Sequence, residues 1–264
     1  MKRRNFLAAG LLFGGQLTWV SHAQAQVSSI VEAINKSGRQ RMLAQRLAKS
    51  YLQIGLDIDT DRSRKILDAS MSIFDRQLVE LRAFAPTAEI KTEFTEIEKN
   101  WLSYKQLLVG KLPNRSDGKT VILMSEDLLQ MSEIATNKLE KYAGNSAGKL
   151  VNISGRERML SQRMAKYYQA AQWDIMPPDG NSKLEATRKE FVTGLTTLNA
   201  AANNNDKIKE ELAMAQQQWI FFDAAIKKTE VPKNHHVAAT NVATTSERLL
   251  EIMDKITGMY QQTQ

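Results

Sequence analysis

The chain contains no cysteine, and proline and glycine are scarce, with 5 and 13 among its 264 residues. The absence of cysteine excludes disulfide scaffolds, thiolate metal sites, iron–sulfur clusters, c-type haem attachment and a cysteine nucleophile. The few histidines form no apparent catalytic triad, and paired carboxylates show no diagnostic spacing. We therefore expect neither an enzyme nor a cofactor or metal site, and the low glycine and proline content favours an all-helical fold.

The N-terminus has the features of an export signal. The basic segment Lys2-Arg3-Arg4 precedes a short apolar run at 6–20, and Ala23-Gln24-Ala25 fits a cleavage site. The sequence RRNFL within this segment is similar to the twin-arginine signal. An ordinary secretory signal with an accidental arginine pair is the alternative. In both cases residues 1–25 are predicted to be a signal peptide, and the mature chain is expected to be periplasmic.

The net charge argues against a nucleic-acid-binding protein. The chain has 36 basic and 29 acidic residues, and loss of three basic residues with the signal leaves 33 against 29. This small, dispersed excess mildly favours anionic ligands, but it is not the clustered basic face that nucleic-acid binding requires. No second apolar stretch approaches the roughly twenty residues of a transmembrane helix. We expect a soluble mature protein that does not bind nucleic acid.

The chain is an internal duplication at a shift of 117 residues. Residues 35–49 read NKSGRQRMLAQRLAK, and residues 152–166 read NISGRERMLSQRMAK. Later matches need a one-residue insertion and pair Trp101 with Trp219 and Tyr142 with Tyr260. The sequence therefore predicts two copies, at residues 26–143 and 144–264.

Each copy has the hydrophobic periodicity of four amphipathic helices. In the first copy the apolar runs cover residues 30–58, 66–84, 90–109 and 121–142. Short connections between helices of this length suit antiparallel four-helix bundles. We predict an all-α fold of two tandem bundles, either stacked end to end or folded back side by side. The segment 143–148 between them is either a flexible joint or a weak point in one long helix.

One stripe on the first helix of each copy combines small residues with an arginine. It contains Ser37, Arg41, Ala44, Gln45 and Ala48 in the first copy, and Ser154, Arg158, Ser161, Gln162 and Ala165 in the second. Small residues let another helix approach closely, and Gly38 and Gly155, one turn earlier, leave the backbone open. A guanidinium buried in such a contact requires an anion. The pattern fits either an anion-binding seam or a structural arginine that pairs with an acid or extends to water.

The segments 34–47 and 154–163 resemble the P-box of PilJ/NarX-type sensor domains. This family comprises periplasmic helical bundles of nitrate/nitrite sensor kinases and type IV pilus chemotaxis transducers. The resemblance implies that Arg41 and Arg158 bind a small oxyanion where first helices meet, with Gly38 and Gly155 as contacts. Gln45 and Gln162, one turn beyond the arginines, complete the candidate ligand site. Unlike the receptors, this chain has no membrane helices or signalling region, so we expect it to work with a membrane sensor or chemoreceptor.

Two functional hypotheses follow. In the first, the chain is a periplasmic binding or sensing protein for an oxyanion such as nitrate or nitrite. In the second, it is an interaction protein without a small ligand, and its arginine stripe serves dimerisation through the first helices. The surroundings of Arg41 and Arg158 separate the two hypotheses. A guanidinium with no carboxylate nearby favours a ligand, whereas a close Glu or Asp favours a structural role.

Other patterns are weaker. Asp57-x-Asp59-x-Asp61 lacks the glycine and the closing glutamate of an EF-hand, so a helix-turn cap is expected there. The adjacent His235-His236 cannot both face one metal from a helix, and we expect them to open the last helix. Trp101 and Trp219 are expected to be core anchors.

Overall fold

The computed structural model describes residues 27–227 and 235–263, and these form α-helices joined by short connections. The first copy contains α1 (Ile30–Gly55), α2 (Thr60–Phe84), α3 (Ala88–Leu108) and α4 (Arg115–Ala143). The second contains α5 (Ser146–Gln172), α6 (Gly180–Asn199), α7 (Asp206–Lys227) and α8 (His235–Gln262). The all-α prediction is confirmed. Among the described helices, none combines the length and the apolarity needed to span a membrane. The predicted export signal lies outside the described residues. So does Pro232-Lys233-Asn234, where the sequence indicates a break between helices of the second copy.

Polar side chains start five of the helices. The side chains of Ser29, Thr87, Asn114, Asn145 and Asn205 each accept a hydrogen bond from the backbone N–H three residues on, at 2.8–3.2 Å. Such caps satisfy donors that the first helical turn leaves free. Two helices begin earlier than predicted, because their first turns are polar and carry no apolar periodicity. Helix α2 starts at Thr60 and α4 at Arg115, and α1 ends at Gly55 rather than at 58.

The two copies are joined by a sharp turn. Gly144 ends α4 in the left-handed conformation, with φ of 63°, and its N–H donates to the carbonyl of Glu140 at 3.1 Å. Asn145 then caps α5. Glycine suits this position because it carries no Cβ to clash. The junction is thus a capped turn between two helices, and α4 and α5 do not form one long helix.

Within each half, the first helix packs between the second and fourth helices, and the third helix completes the bundle. The aromatic contacts of the two halves match. Trp101 stacks on Phe74 with 4.0 Å between ring centroids, and Trp219 stacks on Phe191 at 4.6 Å. Both tryptophans therefore pack between the second and third helices. Trp101 is fully buried, as predicted for a core anchor, whereas Trp219 is only partly buried.

The two halves lie side by side, with α1 packed along α5 in a parallel orientation. At the start of the helices, a Cβ on Gly148 would lie 3.0 Å from Cδ1 of Ile34. At their ends, a Cβ on Gly55 would lie 2.3 Å from Cη2 of Trp173. Helices α1 and α5 are therefore the centre of the molecule and are buried on most sides. The arrangement has an approximate twofold axis along these helices, and it corresponds to the folded-back alternative.

The last helices correspond at a shift of 121 residues, so the predicted match of Tyr142 with Tyr260 is wrong. The segment Ser125-Glu126 on α4 occupies the place of Ser246-Glu247 on α8, as their contacts below show. Tyr260 is buried, and its hydroxyl donates to Asn204 at 2.6 Å, whereas Tyr142 is exposed. The two copies therefore also correspond through their last helices, once these are aligned at a shift of 121 residues.

Trp173 fixes the ends of the two halves to each other. Its ring fills a space between Gly55 on α1 and Gly118 on α4, where side chains are absent, and it contacts Tyr51 with 6.5 Å between ring centroids. Its counterpart in the first half is Leu56, which is only partly buried. The second half thus inserts a large apolar side chain into the first, without an equal contact in return.

We expect Trp173→Ala to lower the free energy of unfolding by about 3–5 kcal/mol, because it leaves a cavity between the halves. Urea unfolding followed by circular dichroism measures the change. The matched control is Leu56→Ala, which should cost clearly less. A Trp173→Ala variant no less stable than the Leu56→Ala control would contradict this packing.

Candidate functional site

The candidate site is the contact between the two P-box segments, which lie on α1 and α5. The glycine of each segment makes room for the arginines of both. A Cβ on Gly38 would lie 2.9 Å from Nη2 of Arg41 and 3.7 Å from Nη2 of Arg158. A Cβ on Gly155 would lie 2.9 Å from Nη2 of Arg158 and 3.6 Å from Nη2 of Arg41. The structure therefore brings the predicted arginines and glycines of both copies together in one chain.

Both P-box arginines are fully buried, and each donates to the backbone of the opposite half. Nη2 of Arg41 donates to the carbonyl of Asn152 at 3.3 Å, and Nη2 of Arg158 donates to the carbonyl of Asn35 at 3.2 Å. The two contacts are equivalent under the approximate twofold axis. Because α1 and α5 use this surface on each other, the first-helix surface expected to pair two chains is occupied within a single chain.

Each P-box arginine also has a carboxylate partner. Nη1 of Arg41 binds Glu133 of α4 at 2.6 Å, and Nη1 of Arg158 binds Asp254 of α8 at 2.5 Å. Glu133 and Asp254 are equivalent at the shift of 121 residues. Neither guanidinium is therefore free of a nearby acid, the arrangement expected for a ligand site.

The same two carboxylates accept a second arginine from the opposite half. Arg39 of α1 binds Asp254 at 2.7 Å, and Arg156 of α5 binds Glu133. Each acid is thus shared by one arginine from each half. Arg39 and Arg156, which lie off the small-residue stripe, are therefore salt-bridged rather than solvated.

A second pair of clusters lies about two turns further along the helices. Lys49 and Arg46 of α1 bind Glu247 of α8. Lys166 and Arg163 of α5 bind Glu126 of α4, at 2.6 and 2.5 Å. In these clusters both cations come from one half and the acid comes from the other. The two lysines and all four acids are not among the residues predicted from the sequence. The repeated SE-x-LL segments, at 125–129 and 246–250, carried the signal that could have found Glu126 and Glu247.

The two predicted glutamines take part in these helix contacts. Nε2 of Gln45 donates to the carbonyl of Ser125 at 2.7 Å, and Nε2 of Gln162 donates to the carbonyl of Ser246 at 3.0 Å. Oε1 of Gln162 also accepts a hydrogen bond from Lys49 at 2.6 Å. Both glutamines are fully buried and tie the first helix of each half to its fourth helix.

Burial and charge pairing act in opposite directions on these groups. Burial lowers the pKa of Arg41 and Arg158, to about 10 for Arg158, while Glu133 and Asp254 oppose the shift. The neighbouring charges of Arg39 and Arg41 lower the pKa of Arg158 further. The buried Nε of Arg158 has no hydrogen-bond partner. The P-box centre is thus a buried, tightly paired set of charges, in which Nε of Arg39 also has no hydrogen-bond partner.

The acids of the second clusters are held strongly in their charged form. Burial alone would raise the pKa of Glu126 and Glu247, but the adjacent lysine and arginine outweigh it and lower each pKa to about 2. Burial lowers the pKa of Lys49 and Lys166 to about 8, against the pull of the same acids. These clusters are costly to leave unpaired, because a buried charge without its partner is poorly solvated.

The weaker sequence patterns have plain structural roles. Asp57 and Asp59 have left-handed backbone conformations, with φ of 57° and 43°, and Asp57 accepts a hydrogen bond from the Thr60 hydroxyl at 2.8 Å. They form the turn before α2, as expected. In the described part of the chain no group of three or more His, Cys, Asp or Glu could hold a metal ion. His235 begins α8.

We expect the stability of the protein to fall as the pH drops from about 4.5, the ordinary value for glutamate, towards 2. Glu126 and Glu247 have a lower pKa in the folded than in the unfolded chain, so their contribution is complete above the unfolded value and is lost on protonation. Glu126→Gln and Glu247→Gln should each cost about 3–5 kcal/mol at neutral pH and flatten the acid dependence. Urea unfolding at a series of pH values measures both effects.

The control for this prediction is Asp127→Asn, which removes an exposed acid next to Glu126. It should leave both the stability and the acid dependence nearly unchanged. Equal behaviour of Glu126→Gln and Asp127→Asn would contradict the assignment of Glu126 to a buried cluster.

Comparison with known families gives a match over both copies. The family described as the type IV pili methyl-accepting chemotaxis transducer N-terminal domain, PilJ, matches residues 23–121 and 143–249. The two segments together cover more than half of the chain, and each includes one P-box. Comparisons with curated proteins and with solved structures gave no match. The chain therefore belongs to the PilJ family of chemotaxis transducer N-terminal sensing domains, of which it contains two copies.

Proposed function

We propose that this chain is an exported, periplasmic sensory module without catalytic activity, which works as an accessory to a membrane chemoreceptor. The PilJ match over both copies supports a sensing role, and the signal-like N-terminus supports export. The two P-boxes meet within one chain, so a single molecule supplies a pair of P-box helices. The module therefore needs no second chain to form its centre.

In this proposal the P-box arginines hold the two halves together. The observation that carries it is the sharing of Glu133 and Asp254, each bound by one arginine from each half. Arginine suits such a contact because its planar group donates in several directions at once. The arginine stripe is thus an interaction surface, as in the second hypothesis, and its partner is the other half of the same chain.

Binding of a small oxyanion such as nitrate or nitrite is a second candidate function. The supporting observation is the buried Nε donor of Arg158, which has no acceptor although it lies in the P-box centre. The charge of Arg41 also lowers the pKa of Arg158. An anion between the two guanidinium groups would relieve that repulsion. It would have to compete with Glu133 and Asp254 for the arginine donors.

Calorimetric titration with sodium nitrate and sodium nitrite, with sodium chloride as the ionic-strength control, separates the two functions. If the arginines serve only to pair the halves, no anion binds. Arg41→Ala and Arg158→Ala should then each cost about 2–5 kcal/mol of stability, because each removes a fully buried side chain together with its bonds to a carboxylate and to the backbone of the opposite half. Arg64→Ala, at an exposed position on α2, is the matched control and should be neutral.

Saturable binding of nitrate or nitrite that disappears in Arg41→Ala or Arg158→Ala would establish the oxyanion function instead. In that case Glu133→Gln should tighten binding, because it removes the competing acid. Arginine variants as stable as the Arg64→Ala control would contradict the pairing role.

A further inference from the structure

Glu157 is a buried acid that takes no part in the charge clusters. It lies on α5 between the two arginines of its P-box, but it is directed at α6. Its residue is 1% exposed, and Oε2 has no hydrogen-bond partner. A Cβ on Gly194 of α6 would lie 1.9 Å from Oε1 of Glu157. The carboxyl group therefore lies against the α6 backbone, and only glycine at 194 leaves room for it.

The first half of the chain has a neutral group in the same place. The counterparts of Glu157 and Gly194 are Gln40 and Gln77, both buried. Nε2 of Gln40 donates to the carbonyl of Phe74 on α2 at 3.5 Å. An amide and a protonated carboxyl have nearly the same size and shape. The duplication thus shows that a neutral polar group fits this helix contact, and that the second half has replaced it with an ionisable one.

The charges around Glu157 do not favour its ionised form. The acidic group facing it from α6 is Glu190, and the basic group on its own helix is Arg156. Arg156 is already bound to Glu190 and to Glu133 of α4. Burial, followed by the charge of Glu190, raises the pKa of Glu157 well above its ordinary value, and Arg156 offsets this only in part. Glu157 therefore has no cation of its own.

We propose that Glu157 is a proton-operated contact between α5 and α6, closed when its carboxyl is neutral and opened when the proton passes to solvent. The charge left on the carboxylate cannot stay against the α6 backbone without water, so α6 separates from α5 to admit it. The change is confined to the second half, because Gln40 does not ionise. Loss of the proton also draws Arg156 towards Glu157 and away from Glu133, which weakens one contact between the halves.

The direction of the pH effect follows from the raised pKa. The folded chain keeps a proton on Glu157 at pH values where the unfolded chain has released it. Stability contributed by this group is therefore complete at acidic pH and declines as the pH rises through the folded pKa. This is opposite in sign to the effect of Glu126 and Glu247, so the two can be measured in one protein.

The test uses the mature full-length chain, which has no cysteine, so introduced cysteines can carry spin labels. The exposed residues Thr193 on α6 and Gln130 on α4 are suitable positions. Electron paramagnetic resonance between them should show a longer or broader distance as the pH rises from about 5 to 9. In the same range the melting temperature should fall by several degrees. In Glu157→Gln both changes should disappear, and the α6 distance should stay at its acidic value.

Glu190→Gln is the matched control. It removes a neighbouring acid from α6 but keeps the buried carboxyl, so both pH effects should remain. They should be shifted to lower pH, because without the charge of Glu190 the carboxyl of Glu157 ionises more easily. If Glu157→Gln keeps the pH dependence of the wild type, the proposal is overturned. A pH-dependent melting temperature with an unchanged label distance would also overturn it, because α6 would not have moved.

Discussion

The structure depends on cations of the two central helices being neutralised by acids that the opposite half supplies or shares. Lys49 of α1 is fully buried, and its acid, Glu247, belongs to the second half. Lys166 of α5 is equally buried, and its acid, Glu126, belongs to the first. A buried charge without a partner is strongly destabilising. Each buried lysine is therefore neutralised by an acid of the other half, so the contact between the halves keeps both lysines paired.

This constraint explains why the P-boxes are central and why the halves could diverge. Once both copies are in one chain, they no longer have to be identical, and the second half can differ from the first. Where the first half has Leu56, the second half has Trp173, whose ring enters the first half. Where the first half has Gln40, the second half has Glu157, at the α5–α6 contact. The contacts of the P-box centre follow the approximate twofold symmetry, whereas Trp173 and Glu157 are contacts of the second half without an equivalent in the first.

The sequence predicts the helices, the duplication and the burial of the P-box arginines, because each of these follows from local periodicity or from identity at a fixed spacing. It does not predict that Glu133 and Asp254 would pair with Arg41 and Arg158. Those acids lie on the fourth helices, whose correspondence is shifted by four residues relative to the P-boxes. It also does not decide how the halves are arranged, because the small-residue stripe fits contact within a chain or between chains.

The most direct measurement is a double-mutant cycle between Lys49 on the first half and Glu247 on the second, using Lys49→Met, Glu247→Gln and the double variant. Residues in contact show coupled effects on the free energy of unfolding, whereas separated residues show additive ones. If the halves lie side by side, we expect a coupling energy of about 2 kcal/mol, because Lys49 and Glu247 are buried and in contact. Additivity within about 0.5 kcal/mol would contradict the packing of α1 against α5 and the cross-half pairing built on it.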